Sequence, residues 1–137
     1  MLSGEDLVKL FHVRDRIISS NARTSFDCLI TWFYDNRNFR LKIHKPEKSE
    51  NKYSIDLLLQ EGSAWKKKYA FIVNREHLLF YFLDTDKYSD PFRTRLQEVF
   101  GPLFKDMPNQ GRGSKKEMTV KIENSMDTTR LLNDFIA

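Results

Sequence analysis

The sequence predicts a single α+β domain, residues 1–137, built on a mostly antiparallel five-stranded sheet packed with helices, in the element order ααββββαβα. Two observations predict this class. Apolar residues recur at spacings of three and four near both ends of the chain. Between them, residues 39–83 hold four short apolar runs separated by polar segments. A chain of 137 residues is also the usual size of one domain.

Two amphipathic helices are expected before the sheet. Apolar residues at helical spacing predict a first helix over residues 4–19, with Ser3 as its capping residue. Residues 20–23 are polar and predict a break in the chain. Thr24 or Ser25 is then expected to cap the second helix.

The apolar period changes to two at residue 39, which predicts a four-strand meander. The predicted strands are residues 39–44, 53–59, 69–73 and 78–83. In the first strand, Arg40, Lys42 and His44 alternate with apolar residues, so we expect a half-buried strand with a basic outer face. The third and fourth runs are apolar on both sides, so we expect them to be central, with helices over part of the second face.

The C-terminal third predicts a helix, a fifth strand and a terminal helix. An Asp-Pro pair at 90–91 is typical of a helix start, and a Gly-Pro pair at 101–102 is typical of its end. Apolar and polar residues alternate over residues 118–122, which predicts the fifth strand. Asn124 or Ser125 then begins the last helix.

Composition excludes several classes of protein. Eleven Phe residues and 13% aromatic content exclude a disordered tail. No apolar run approaches the ~20 residues of a membrane-spanning helix, and the N-terminus lacks the pattern of a secretory signal, so no membrane partner is expected. The single cysteine, Cys28, forms no internal disulfide, and a reducing cytoplasmic location fits it. Oligomeric state is left open.

Signatures of catalysis are weak, so a non-enzymatic protein is favoured and no cofactor or metal is expected. The sequence has no Gly-x-Ser-x-Gly, P-loop or dinucleotide-binding motif, and its three histidines lack metal-ligand spacing. One enzymatic hypothesis remains, an inactive metal-dependent nuclease-like domain. Asp56 would supply one carboxylate of such a site, but the Glu-x-Lys motif is missing and only Asn74 stands near the second position.

Positive charge is concentrated in three stretches of a chain whose net charge is +4. Residues 37–52 hold six Lys or Arg against two Glu, residues 61–76 hold four against two acids, and residues 105–121 hold five against two. Residues 122–137 are acidic by comparison. Such a distribution attracts nucleic acid or an acidic protein surface.

The favoured hypothesis is therefore a nucleic-acid-binding module, with DNA ahead of RNA, that contacts the phosphate backbone through basic loops of the sheet. Trp65 would provide a stacking platform beside the lysines that follow it. The candidate phosphate contacts are Arg40, Lys42, Lys66, Lys67, Lys68, Arg75, Arg112, Lys115 and Lys116. The alternative is a small adaptor or inhibitor that binds an acidic protein surface.

Overall fold

A computed structural model describes residues 4–36, 38–44, 53–83, 87–107 and 117–136, and in them four helices accompany a six-stranded antiparallel sheet. The helices are α1 (Gly4–Asp15), α2 (Ser20–Asp35), α3 (Asp90–Phe100) and α4 (Ser125–Asp134). The strands are β1 (Phe39–His44), β2 (Tyr53–Glu61), β3 (Ala64–Val73), β4 (Leu78–Phe82), β5 (Phe104–Met107) and β6 (Glu117–Ile122). The predicted α+β class with an antiparallel sheet is confirmed.

The sheet has the strand order β1-β2-β3-β4-β6-β5, and every neighbouring pair is antiparallel. The first four strands form the predicted meander, and β6 is the predicted fifth strand. The sequence missed β5, which pairs with β6 at the far edge and places Phe104 opposite Val120. Four residues directly after a 3-10 turn are too few to show a period of two, so only the pairing reveals this strand.

The break between the first two helices lies earlier than predicted. α1 ends at Asp15, and Ser19 caps α2 by accepting a hydrogen bond from the Ala22 N–H at 3.2 Å. Ser25 instead lies inside α2, where its hydroxyl donates to the Asn21 carbonyl at 2.9 Å. The linker is fixed by a distant contact, because the Ile18 N–H donates to the Arg75 carbonyl in the β3–β4 turn at 2.7 Å. That contact is invisible to local sequence patterns.

The later helix boundaries follow the sequence closely. Ser89 caps α3 with Asp90 and Pro91 in its first turn, and the helix gives way at Gly101, whose φ of 54° favours glycine. Asn124 caps α4, its side-chain oxygen accepting from the Asp127 N–H at 3.0 Å.

The helices bury their apolar side chains against one face of the sheet, which we call the inner face. Phe71 is fully buried at its centre and meets Phe26 of α2 edge-on at a centroid distance of 6.3 Å. On the other side of the sheet's centre, Phe92 of α3 packs between Phe82 of β4 and Phe135 at the end of α4. Edge-to-face geometry is favoured by the aromatic quadrupole, so this aromatic layer ties the helices to the strands.

The opposite face of the sheet, the outer face, carries the alternate residues of each strand. Its central side chains, such as Ile72, Leu79 and Tyr81, are half-buried rather than enclosed. The sequence predicts helices over part of this face. The aromatic rings and buried apolar residues of the described helices instead pack against the inner face. The two-sided apolar character of β3 and β4 therefore reflects a core on one side and, on the other, a half-buried apolar surface that none of the described helices covers.

Helix α1 is attached through one apolar edge and one ion pair. Leu10 and Val13 are buried, and Arg14 makes a two-point contact with Asp27 of α2 at 2.8 and 2.9 Å. The Asp27 hydrogen bond is the main reason that the pKa of Arg14 lies above its usual value. Leu7 and Phe11 of this helix remain 44% and 64% exposed.

No helix within the described ranges combines the length and the apolar character needed to cross a lipid bilayer.

The core predicts a large cost for truncating Phe71. Phe71→Ala should lower the free energy of unfolding by about 3–5 kcal/mol, because it removes a fully buried ring and leaves a cavity. Chemical denaturation measures this. Tyr34→Ala is the control, since Tyr34 is 54% exposed and its loss should change stability by less than about 0.5 kcal/mol. Equal effects of the two substitutions would contradict the core assignment.

Tyr69 predicts a loss of stability in alkali. Burial, with contributions from Tyr88, raises the pKa of the Tyr69 phenol above its ordinary value of 10.0. The folded state then holds this proton more tightly than the unfolded chain, so the contribution is intact below pH 10 and declines as pH rises toward the folded pKa. Denaturation on either side of pH 10 should show a steeper decline for the wild type than for Tyr69→Phe. Tyr34→Phe should retain the wild-type slope.

Candidate nucleic-acid interface

Strand pairing brings charged residues from both edges of the sheet onto the outer face, because antiparallel partners point to the same side. Three rows of partners run across this face. They are Arg40–Leu58–Lys67, then Lys42–Asp56–Ala70–Tyr81–Thr119–Lys105, and then His44–Ser54–Ile72–Leu79–Lys121. In these three rows, the apolar side chains of Leu58, Ala70, Ile72, Leu79 and Tyr81 lie on β2 to β4, together with Ser54, Asp56 and Lys67, and further cations lie on the outer strands.

The larger cationic margin lies on β1 and β3. Arg40, Lys42 and Lys67 are all exposed, and they lie on strands flanking β2. Lys105 and Lys121 form the opposite margin on β5 and β6. Against these five cations, the three rows hold one carboxylate, that of Asp56. The outer face therefore presents a positive field to solvent.

Asp56 is enclosed by the cationic margin rather than opposed to it. The residue is 7% exposed, and its Oδ2 accepts from His44 Nε2 at 2.7 Å. Lys67 Nζ lies 3.0 Å from Oδ1, an ion pair whose angles do not make a directed hydrogen bond. Since a carboxylate only accepts, His44 carries its proton on Nε2 in this pair. Asp56 thus holds His44 and Lys67 in place across β2.

Trp65 lies on the outer face near the β2–β3 turn, opposite Gln60. The Arg40 guanidinium is centred 4.0 Å from the middle of its ring, which is a close cation–π stack. The predicted strands 53–59 and 69–73 leave residues 65–68 in the turn between them, and this prediction was wrong. They belong to β3, and the turn is formed by Gly62 and Ser63, with a positive φ of 64° at Gly62.

The three consecutive lysines do not share a face. Lys67 joins the outer face, whereas Lys66 pairs with Leu59 in the register and lies on the inner side. There its ammonium contacts Glu61 at 3.1 Å, and the hydrogen bond to Lys66 is the first cause of a lowered pKa for the Glu61 carboxyl. A β-bulge between Leu57 and Leu58 leaves Lys68 without a register partner in β2.

The remaining predicted contacts lie elsewhere. Arg75 is exposed in the β3–β4 turn, past the end of β3 remote from Trp65. Arg112, Lys115 and Lys116 lie outside the described residues, in the connection between β5 and β6. The structure therefore brings together Arg40, Lys42, Trp65 and Lys67, and it separates Lys66 and Arg75 from them.

Sequence reasoning did not select several residues of this face as site residues. His44 was expected on the outer face of β1, and Asp56 in a strand, but nothing indicated that they touch. Lys105 and Lys121 were counted only as charge in a basic stretch. The alternation of apolar and polar residues along β6 could have indicated that Lys121 faces away from the core. Only the strand register places Lys121 beside Leu79.

In the described part of the chain, no three His, Cys, Asp or Glu residues cluster in a way that could hold a metal ion. The two residues of the nuclease-like hypothesis have other contacts. Asp56 contacts His44 and Lys67, and the Asn74 amide nitrogen lies 3.1 Å from His77 Nε2.

The Arg40–Trp65 stack predicts a spectroscopic change. In a Trp32→Phe background, which leaves Trp65 as the fluorophore, Arg40→Ala should shift the emission of Trp65 to longer wavelength, because water replaces the guanidinium over its ring. Lys66→Ala is the control, since Lys66 neighbours Trp65 but faces the other way. Unchanged emission in the Arg40 variant would contradict the stacked geometry.

Comparisons with known proteins give no identification: no family model matches the chain, and searches of curated proteins and of solved structures find no significant match. Any functional inference therefore rests on the chemistry of the outer face itself.

Proposed function

We propose that this protein is a non-enzymatic nucleic-acid-binding module that contacts the phosphate backbone through the outer face of its sheet. The observation that carries the proposal is the joint exposure of Arg40, Lys42 and Lys67 on one face, where the Asp56 carboxylate pairs with His44 and Lys67 and leaves Arg40 and Lys42 outside this pairing. Arginine and lysine neutralise phosphates and release counterions, which supplies most of the affinity in sequence-independent binding.

The spacing of these cations supports contact with a repeating anion. Arg40 and Lys42 are two residues apart on one strand, or about 6.8 Å, and neighbouring strands lie about 4.8 Å apart. Charges at this spacing act together on a chain of phosphates. Asp56 reduces the positive field only partly, because it is one carboxylate among five cations in the three rows. The preference for DNA and the contacts from Arg112, Lys115 and Lys116 remain predictions.

A second candidate is a small adaptor or inhibitor that binds an acidic protein surface. The half-buried apolar residues Leu58, Ile72 and Leu79 at the centre of the outer face, with cations around them, favour it. An apolar centre with a polar rim is also the anatomy of protein–protein interfaces. This candidate predicts one dominant protein partner and no measurable affinity for nucleic acid.

Adjacent lysines on opposite faces allow a matched test of the first candidate. Lys67→Ala should weaken binding to a labelled mixed-sequence oligonucleotide and lower the slope of log K against log salt by about 0.7–0.9. Lys66→Ala should leave both nearly unchanged, because Lys66 lies on the inner side of the sheet, away from Arg40 and Lys42. Fluorescence anisotropy over a range of KCl concentrations measures both quantities.

The outcomes separate the candidates. Equal losses of oligonucleotide affinity in the Lys66→Ala and Lys67→Ala variants would show that the outer face is not the binding surface. No binding of DNA or RNA at low salt would overturn the proposal and leave the protein-binding candidate.

A further inference from the structure

We infer that the ligand of the outer face is single-stranded nucleic acid, with its bases on the apolar centre and its phosphates along the cationic margins. The inference rests on the proposed function and specifies its substrate class. It is carried by three features of the face: its apolar centre, its width and the Arg40–Trp65 stack.

The apolar centre is the first feature. Leu58, Ile72, Leu79 and Tyr81 are half-buried on β2 to β4, and Ala70 lies among them. A duplex keeps its bases stacked inside and presents phosphates and sugars, so it would lay charged groups over these side chains. Unpaired bases instead offer flat apolar faces that can cover them. The centre therefore matches a strand whose bases are exposed.

The width of the sheet argues against entry into a duplex groove. Five strand spacings separate β1 from β5, so the face spans about 24 Å at roughly 4.8 Å per spacing. The major groove of B-DNA is about 12 Å wide and admits a helix or a two-stranded ribbon. The described helices pack on the inner face and are not presented beside the cations.

The distribution of charge fits a strand that crosses the sheet. Arg40, Lys42 and Lys67 lie at one margin, and Lys121 lies two strands beyond Lys67 and two rows along, which is about 10 Å across the strands and about 14 Å along them. The cations thus border the apolar centre on both sides. Charge complementarity selects a polyanion, while the apolar centre selects one with exposed bases.

The Arg40–Trp65 stack supplies a planar platform at one end of this face. The guanidinium lies over the Trp65 ring, 4.0 Å from its centre, so a base that binds here stacks on the guanidinium, which Trp65 supports from the other side. Tyr81 offers a second ring in the middle of the sheet, in the same row as Lys42 and Asp56.

The experiment compares a mixed-sequence single strand of 16 nucleotides, as DNA and as RNA, with the corresponding duplex. All probes are labelled, and their binding is measured by fluorescence anisotropy at the same salt concentration. The length is chosen because single-strand binding sites cover about 4–16 nucleotides. The single strand should bind at least about tenfold more tightly than the duplex. Trp65→Leu and Tyr81→Leu keep apolar volume but remove a ring, and each should weaken single-strand binding about fivefold or more, since one stacked base contributes about 1–3 kcal/mol. Binding of the duplex should change less.

Tyr34→Leu is the matched control, because Tyr34 is an exposed aromatic on α2, away from the sheet face. Thermal unfolding of each variant confirms that it folds. A duplex bound as tightly as the single strand would overturn this inference while leaving the proposed function in place. Unchanged single-strand affinity in both the Trp65→Leu and the Tyr81→Leu variants would overturn it as well. If no probe binds at all, both this inference and the proposed function are overturned.

Discussion

The structure depends on the aromatic layer between the inner face of the sheet and the helices. Phe71 and Phe80 are both fully buried in this layer. Phe71 packs against Phe26 of α2, and Phe80 packs against Tyr69 of β3. Burying these rings is the main source of stability available to a chain of this size. Because the described helices place their apolar side chains here, the outer face contributes less to the core than the inner face does.

Because the described helices pack on one side of the sheet, the alternation of residues along each strand decides which side chains face the core and which lie on the outer face. Lys66 and Lys67 are identical neighbours in sequence, yet one lies beside Glu61 on the inner side and the other lies on the outer face. The same rule separates Phe39, which packs on Phe33, from Arg40, which covers Trp65. Charge that looks continuous along the chain is therefore divided between two surfaces, and only part of it can act on one ligand.

Asp56 shows how a basic face can be ordered. A nearly buried carboxylate is costly to leave alone, and here His44 and Lys67 reach it from the strands on either side of β2. These contacts hold their side chains at defined positions instead of letting them sample many rotamers, which in the proposed function lowers the entropy lost when a phosphate binds. The negative charge of Asp56 lowers the positive potential of the outer face, while its contacts order the side chains of His44 and Lys67.

The sequence alone determined the α+β class, the four-strand meander, the strand at β6 and the cap of the last helix. These depend on local physics: the period of apolar residues, turn residues and side-chain capping. Tertiary structure decided the course of the linker before α2, where the Ile18 N–H donates to the Arg75 carbonyl, and the existence of β5, which depends on pairing with β6. It also decided which cations share a surface, because the register and the bulge at Leu57 and Leu58 place them, and neither is encoded in the spacing of charges along one strand.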